Sequence, residues 1–343
     1  MSEQSSFANK ILITGAGGYI GSIATSVLLD EGFEIVAVDN FSTGYRQPLE
    51  ILQKKYGEEK LRFYDIDLTK DDISSIFDKE QGIDAVIHYA AHCLVDESMK
   101  NPHKHFYNNI CGTLNLISSM NKAGVKNLVF SSTCAVYGQS KYIPIDEDHP
   151  KEPLSPYGES KKISEDIITW FSKLKGLNFV ILRYFNVCGA SDDGLIGDAK
   201  KPSPHLVQNT VRGALGIEPF ILTYPEVDTE DKSPIRDYIN VVDLNLAHKK
   251  AVEYLLNGGE SEFINLGTGK GNSVLEIINI VKKVTGVEFE VSRGNLREGD
   301  PARLVASIEK AKRILDWEPK RTIEDSINSL ISWYKNNPQG WKK

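Results

Sequence analysis

"KILITGAGGYIGS" (residues 10–22) runs a short apolar segment into three glycines, Gly15, Gly18 and Gly21, and then opens a helical pattern. A strand that turns sharply into a helix uses glycine for the turn, for the close approach of backbone to a phosphate, and for tight helix–strand packing. A diphosphate then lies at the helix N-terminus, against the amides of Tyr19 and Ile20. Asp39 ends the next apolar run, "EIVAVD" (34–39), at about the 20-residue spacing where a carboxylate accepts the ribose hydroxyls of a dinucleotide. An acid at that place repels a 2′-phosphate, so the pattern favours NAD over NADP.

Further apolar runs alternate with helical stretches. "LRFYDID" (61–67), "DAVIHYA" (84–90), "NLVFSST" (127–133) and "NFVILRYFN" (178–186) read as buried strands, with helices such as Ile20–Leu29 and Phe106–Asn121 between them. This alternation predicts an α/β fold, a Rossmann-like doubly wound parallel sheet. After Asn186 the pattern turns irregular, and "ASDDGLIGDAKKPSP" reads as loop. "RDYINVVDL" and "EFINLGTG" (262–269) read as further strands that rejoin the sheet. Helices are expected near 274–285, 307–315 and 323–335. The division that follows is a nucleotide-binding domain of 1–187 with 240–270. A smaller, discontinuous α/β substrate lobe takes 188–239 with 271–343.

Bulk properties exclude several classes of function. The 343 residues are 41% hydrophobic and 25% charged, ordinary for a soluble globular chain. A net charge of −7 predicts neither nucleic acid nor an anionic membrane as partner. No run approaches transmembrane length, and "MSEQSSFANK" lacks the apolar core of a signal peptide. Four cysteines, Cys93, Cys111, Cys134 and Cys188, stand far apart without CxxC spacing, which fits a reducing cytoplasm and no metal centre. His103 and His105 are two apart, so on a helix they point in different directions.

A tyrosine–lysine pair four apart shares one helix face, where the ammonium eases deprotonation of the phenol. The chain carries it three times: "YGEEK" (56–60), "YGQSK" (137–141) and "YGESK" (157–161). The first sits in "QKKYGEEK", the end of a solvated surface helix. The second precedes "KYIPIDEDHPKEP", which is proline-broken and cannot hold helical geometry. The third opens the clearest helical pattern, with Ile163, Ile167, Trp170, Phe171 and Leu174 as its apolar stripe. Its Tyr157 also follows by 24 residues the strand end Ser131, Ser132, Thr133, where a doubly wound sheet presents its ligands. Tyr157 with Lys161 is therefore the working pair.

"TGAGGYIG", "SSTCAVYG" and "YGESK" together resemble the extended short-chain dehydrogenase/reductase family. "DNFSTG", "VIHYAA", "ESMKNPHKHFYNNICGTLNLI", "LRYFNVCGAS", "RDYINVVDL" and "LREGDPARLVAS" are similar to its UDP-glucose 4-epimerase branch, over residues 9–341. The resemblance implies NAD held throughout and reversible inversion at C4 of a UDP-hexose through a 4-keto sugar. Tyr157 would be the base on the sugar 4-hydroxyl, Thr133 would bond the same hydroxyl and relay the proton, and Lys161 would bond the nicotinamide ribose. Asp67 and Leu68 would bracket the adenine, with Asn40 and Thr43 at its ribose. Tyr89, Ala90 and Ala91 would follow the diphosphate, and Asn108, Ser131 and Tyr184 complete the cofactor set. Asn186, His205, Leu206, Leu222, Arg236, Arg297 and Asp300 would hold the UDP-sugar; the family also implies a homodimer through helices of the nucleotide domain.

The chain departs from that pattern in places. Cys93 stands where the branch often has lysine, "DKSP" replaces the usual "DGT", and the aromatic under uracil becomes Leu222, with Tyr224 nearby. The acidic pair of the 4,6-dehydratases, after the threonine, is here Cys134 and Ala135, which argues against dehydration and against uronate decarboxylation. Leu304, four residues after Asp300, falls where a tyrosine would crowd the sugar's C2 substituent, so N-acetylhexosamine forms are expected as secondary substrates. A catalytically silent NAD-binding sensor or scaffold is the rival class, and retention of Tyr157, Lys161 and Thr133 together argues against it.

Overall fold

The computed structural model describes residues 9–224, 226–294 and 301–342. Seven strands make the central sheet: β1 (Lys10–Thr14), β2 (Glu34–Asp39), β3 (Leu61–Asp65), β4 (Ile83–His88), β5 (Asn127–Thr133), β6 (Asn178–Tyr184) and β7 (Glu262–Leu266). Their order is β7-β6-β5-β4-β1-β2-β3, and every neighbouring pair is parallel. Helices cover both faces, as parallel sheets require. In β1, Ile11 and Ile13 join the core beneath α1 (Tyr19–Asp30), while Leu12 joins the opposite core. The period of two thus splits one apolar run between two layers.

The order reverses between β1 and β4, so the crevice that binds ligands in such sheets opens beyond the carboxyl ends of these two strands. The remaining helices named here are α2 (Gln47–Tyr56), α3 (Gly112–Ala123), α4 (Pro156–Lys175), α5 (Leu206–Ala214), α6 (Val241–Leu256), α7 (Val274–Thr285) and α8 (Ile323–Asn336). A separate core of Val207, Val211, Ile277, Val281, Leu330 and Trp333 joins α5, α7 and α8.

Two expectations are corrected. "RDYINVVDL" is not one strand rejoining the sheet. Tyr238–Asn240 pairs with Asn186–Cys188 in a separate two-stranded sheet, and "VVDL" begins α6. The Asn240 side chain accepts from the Val242 amide at 2.8 Å, and this N-cap outweighs the β-propensity of two valines. The second correction concerns α4. Its buried face is Tyr157, Ser160, Lys161, Ser164, Glu165 and Ile168, whereas Trp170 and Leu174 of the apolar stripe are 61% and 69% exposed. The helix turns its polar face inward because that face carries partners for β5 and β6.

Those partners form a buried chain. The Arg183 guanidinium grips Glu165 with Nε–Oε1 2.9 Å and Nη2–Oε2 2.7 Å, and Ser132 Oγ donates to Oε1 at 2.6 Å. Arg183 Nη1 also donates to the Tyr137 hydroxyl at 3.0 Å, which donates to Asn265 Oδ1 at 2.7 Å. The second tyrosine copy is thus a fully buried tie between β6 and β7. The first, Tyr56, ends α2 and bonds Asp30 at the surface. Removing one partner of a buried ion pair strands the other, at a cost of about 3–5 kcal/mol. Arg183→Met should lose about that much stability in denaturation, whereas Tyr137→Phe should lose about 1–3 kcal/mol and keep its turnover. A Tyr137→Phe protein that is stable but inactive would contradict the structural role.

Candidate active site

The glycine loop owes its shape to contacts that no side chain would survive. Gly15 has φ +72°, and a Cβ there would lie 2.6 Å from the Ala90 nitrogen. A Cβ on Gly21 would lie 2.2 Å from the Gly15 carbonyl oxygen. Gly18 caps α1, leaving the amides of Tyr19 and Ile20 at the helix start. Tyr19 is tied down by its hydroxyl, which donates to the Gly189 carbonyl at 2.5 Å, and Ile20 accepts from Asn245 at 3.3 Å. The Asp39 carboxylate accepts from the Gly17 and Phe41 amides at 2.9 and 2.7 Å. Burial pushes its pKa up, and those two amide bonds oppose the rise.

Around the groove, Asn40 accepts from the Ser42 amide at 3.0 Å, and Thr43 lines a cavity above Gly17 and Gly18. Burial alone would raise the Asp67 pKa, but the Thr69 hydroxyl and amide, with Lys70, hold it at about 2. Leu68 is anchored by Asn115, which donates to its carbonyl at 2.9 Å. After β4, the Tyr89 amide bonds the Thr14 carbonyl at 3.1 Å, and its hydroxyl bonds Asn245 at 2.8 Å. The backbone of Tyr89, Ala90 and Ala91 therefore borders the groove. Asn108 donates to Asn109 Oδ1 at 3.1 Å.

Three hydroxyls at the end of β5 are sorted by their neighbours. Ser132 is drawn to Glu165, as described above. Ser131 Oγ lies 3.1 Å from His248 Nε2. The other ring nitrogen of His248 is 2.9 Å from the Leu244 carbonyl and must donate to it, so Ser131 donates to Nε2. Thr133 is left facing Tyr157, beside Tyr184, its register partner on β6. Tyr184 in turn bonds Ser131. Ser155 caps α4 through Gly158 at 3.2 Å, which places Tyr157 and Lys161 one turn apart on the buried face.

The electrostatics of that pair are unusual. Burial raises the Tyr157 pKa well above the phenol range, and Thr133 opposes the rise. Burial lowers Lys161 to about 7, opposed by Cys93 and Glu165. The Lys161 ammonium rests over the Phe130 ring, 4.1 Å from its centre. No carboxylate lies within ion-pair distance of it among the described residues. A buried tyrosine and lysine whose pKa values are both displaced by burial, beside a hydroxyl, mark a candidate reactive site.

Toward the second lobe, Asn186 opens its short strand and His205 caps α5, its ring 5.9 Å from that of Tyr19. Leu222 is buried with Phe220, Val274 and Ile278, and Leu206 and Tyr224 border that cluster. Arg236 Nη1 donates to the Pro301 carbonyl at 2.7 Å, and Leu304 is its register partner. Leu304 belongs to the buried cluster of Cys134, Val136, Tyr137 and Phe185. Arg297 and Asp300 lie outside the described residues.

Residues that sequence reading missed hold this arrangement. Asn109 bonds the His92 amide at 2.8 Å, the His92 carbonyl at 3.0 Å and Ser160 Oγ at 2.9 Å, clamping the loop after β4 onto α4. Asp237 accepts from Thr268, Gly269 and Ala306 amides at 2.7, 3.0 and 3.2 Å, pinning two other segments to one carboxylate. Their sequence signals, the "NN" doublet and the acid of "RDY", point to no particular partner.

A family model described as GDP-mannose 4,6 dehydratase matches residues 12–330. The UDP-glucose 4-epimerase of Lactobacillus helveticus is 41% identical over 335 residues, covering 97% of this chain and 99% of that protein. The crystal structure of UDP-glucose 4-epimerase from Bifidobacterium longum in complex with NAD+ and UDP superposes with a TM-score of 0.91 at 33% identity, covering 97% of this chain and all of that one. The UDP-Glc/GlcNAc 4-epimerase of Campylobacter jejuni gives 0.82 at 36% identity, covering 96% of this chain and 100% of that one. A glycine cradle, a buried Tyr157–Lys161 pair beside Thr133 and near full-length similarity to these enzymes lead to one assignment: the chain belongs to the UDP-glucose 4-epimerase family of the extended short-chain dehydrogenases/reductases.

Proposed function

We propose that the protein interconverts UDP-galactose and UDP-glucose by inversion at C4, using NAD that stays bound. The observation that carries this reading is the convergence of Tyr157, Lys161 and Thr133 at the carboxyl end of β5, with Cys134 and Ala135 following. The residues fit the cofactor: a side chain at Gly15 or Gly21 would fill the cradle, and Asp39 stands ready for a ribose. Bound NAD supplies a hydride acceptor that returns the hydride to the same sugar. Tyr157 takes the 4-hydroxyl proton, directly or through Thr133, and later gives it back, with Lys161 and the positive ring lowering its pKa. Lacking an acid at 134 and 135, the chain offers nothing to move the C5 and C6 protons, which leaves epimerisation rather than dehydration.

The sugar must turn over between the two hydride steps, so the nucleotide is held firmly and the sugar loosely. In this reading Asn186, His205, Leu206, Leu222, Arg236, Arg297 and Asp300 grip the UDP, arginine matching a diphosphate through its two-pronged donors. The lobe division of 1–187 with 240–270 against 188–239 with 271–343 is supported by β7 joining the nucleotide sheet and by the separate core around Trp333. A second copy of the chain is proposed to cover the outward apolar stripe of α4, where Trp170 and Leu174 are exposed, together with Leu114 of α3. Four free cysteines, Cys93 exposed among them, support a reducing cytoplasm. Among the described residues no helix is long and apolar enough to cross a membrane.

Tyr157→Phe should cut turnover by at least the ~10²-fold typical of acid–base catalysis and leave NAD bound, while Tyr56→Phe should change it little. Near-normal epimerisation by the Tyr157 variant would remove it from the reaction. The purified wild type should work without added NAD and accumulate no NADH. Steady NADH release matching sugar consumption would make it a dehydrogenase instead. Leu304, which this reading sets against the sugar's C2 substituent, should allow detectable activity on UDP-N-acetylgalactosamine beside preferred UDP-galactose. Leu304→Tyr should abolish the acetamido activity and largely spare UDP-galactose; an unchanged ratio of the two kcat/KM values would take Leu304 out of the pocket.

A further inference from the structure

One cation in the groove is not used by the reaction described above. Lys200 ends the segment 197–200, which faces Gly17 and Gly18 across a cavity closed by Thr43 and Tyr45. From there its side chain crosses to the loop after β4, where Nζ lies 3.8 Å from Cys93 Sγ. It therefore spans the crevice between the β1 and β4 loops, the place where the strand order reverses. A thiol is a weak acceptor, and no carboxylate lies within ion-pair distance of Nζ among the described residues. The nearby Asp198 carboxylate is engaged by the Ser203 hydroxyl at 2.5 Å and the Lys200 amide at 3.2 Å. A half-buried ammonium in that position lacks a strong acceptor.

The anion that belongs there is the one the glycine loop is shaped to take. The amides at the start of α1 and its dipole face the groove, but the first turn of α1 has no basic side chain. Arg46, the guanidinium that faces Asp39, is already stacked 4.2 Å above the Phe41 ring and paired with Asp65. Lys200 is left as the cation positioned to meet a diphosphate laid over Gly17 and Gly18. We propose that Lys200 is a latch on the cofactor: its ammonium lies across the bound dinucleotide, pairs with its diphosphate, and slows its release. This rests on the groove being the NAD site. The latch comes from the second lobe and closes on the first, so cofactor release requires the 197–200 segment to lift.

The test compares wild type with Lys200→Met, Lys200→Arg and Lys200→Met combined with Cys93→Lys. Bound NAD is quantified after purification, its release rate is followed on dilution into excess unlabelled NAD, and KM for UDP-galactose is taken with NAD added. Loss of a hydrogen bond to a charged group should speed NAD release by about tenfold to a hundredfold in Lys200→Met, with KM for the sugar nucleotide little changed. Lys200→Arg should release NAD slowly. The γ atom of residue 93 lies 3.8 Å from the Lys200 ammonium, so a lysine at 93 can reach the same region from the opposite side, and the double variant should recover slow release. Lys200→Met that keeps NAD as wild type does overturns the latch alone. So does a raised KM with NAD retention unchanged, which would assign the ammonium to the sugar nucleotide. A wild-type protein that purifies without dinucleotide and binds none overturns the cofactor reading and the latch together.

Discussion

The backbone of Gly15 against the backbone of Ala90 is the contact on which the site depends. With φ +72° and no room for a Cβ, the chain leaves β1 and folds straight over the end of β4. The Tyr89 amide seals the approach by bonding the Thr14 carbonyl. Because β1 and β4 are neighbours at the point where strand order reverses, this single close approach opens the crevice and aims the start of α1 into it. Asp39 then reaches back to the Gly17 amide from β2, so the loop is fixed from both sides. Any side chain at Gly15 would push the β1 and β4 loops apart and spoil each of these contacts.

The reactive end is governed by a different constraint, the burial of two titratable groups without their counter-charges. Tyr157 is driven up and Lys161 down, to about 7, so the unliganded pocket holds a neutral phenol. A positive charge brought beside the phenol would oppose the rise at Tyr157, and would press Lys161 further toward its neutral form. The surrounding hydroxyls are kept apart by firm partners: Ser132 by Glu165, Ser131 by His248. Thr133 Oγ1 accepts from the Ala135 amide at 3.1 Å and faces Tyr157. The Glu165–Arg183 pair therefore stabilises the sheet and also keeps a competing hydroxyl out of the site.

Helix α4 joins catalysis to packing in an uneven way. Its inward face is largely polar because it meets β5, β6 and the Asn109 clamp; of its apolar stripe, Ile167 and Phe171 pack against the core while Trp170 and Leu174 are left on the outside. Helical periodicity alone assigns the apolar side to the core, since most helices bury it. Here the hydrogen-bonding requirements of a buried active site win over the tendency of the apolar side to turn inward, and the stripe becomes a surface in search of a cover. Asp237 contributes in the same indirect manner, tying Thr268 and Ala306 to its own segment, where Arg236 and Leu304 sit side by side.

The residue order alone determined the sheet and singled out Tyr157 with Lys161 as the helical tyrosine–lysine pair. "KILIT", "EIVAVD" and "NLVFSST" fall on β1, β2 and β5 to the residue, because continuous β-branched and apolar runs bounded by glycine and polar turns have few alternatives. The glycine spacing was equally legible, since backbone conformation is a local property. Other features were decided by particular hydrogen-bond partners, most of them distant in the sequence. That "VVDL" is helix was decided by the Asn240 cap, that Tyr137 is a core tie by Arg183 and Asn265, and that Lys200 reaches Cys93 by the folding of one lobe over the other. Each of these depends on a partner between 2 and 128 positions away, and the non-local ones leave no periodic trace, so only the tertiary structure could choose among them.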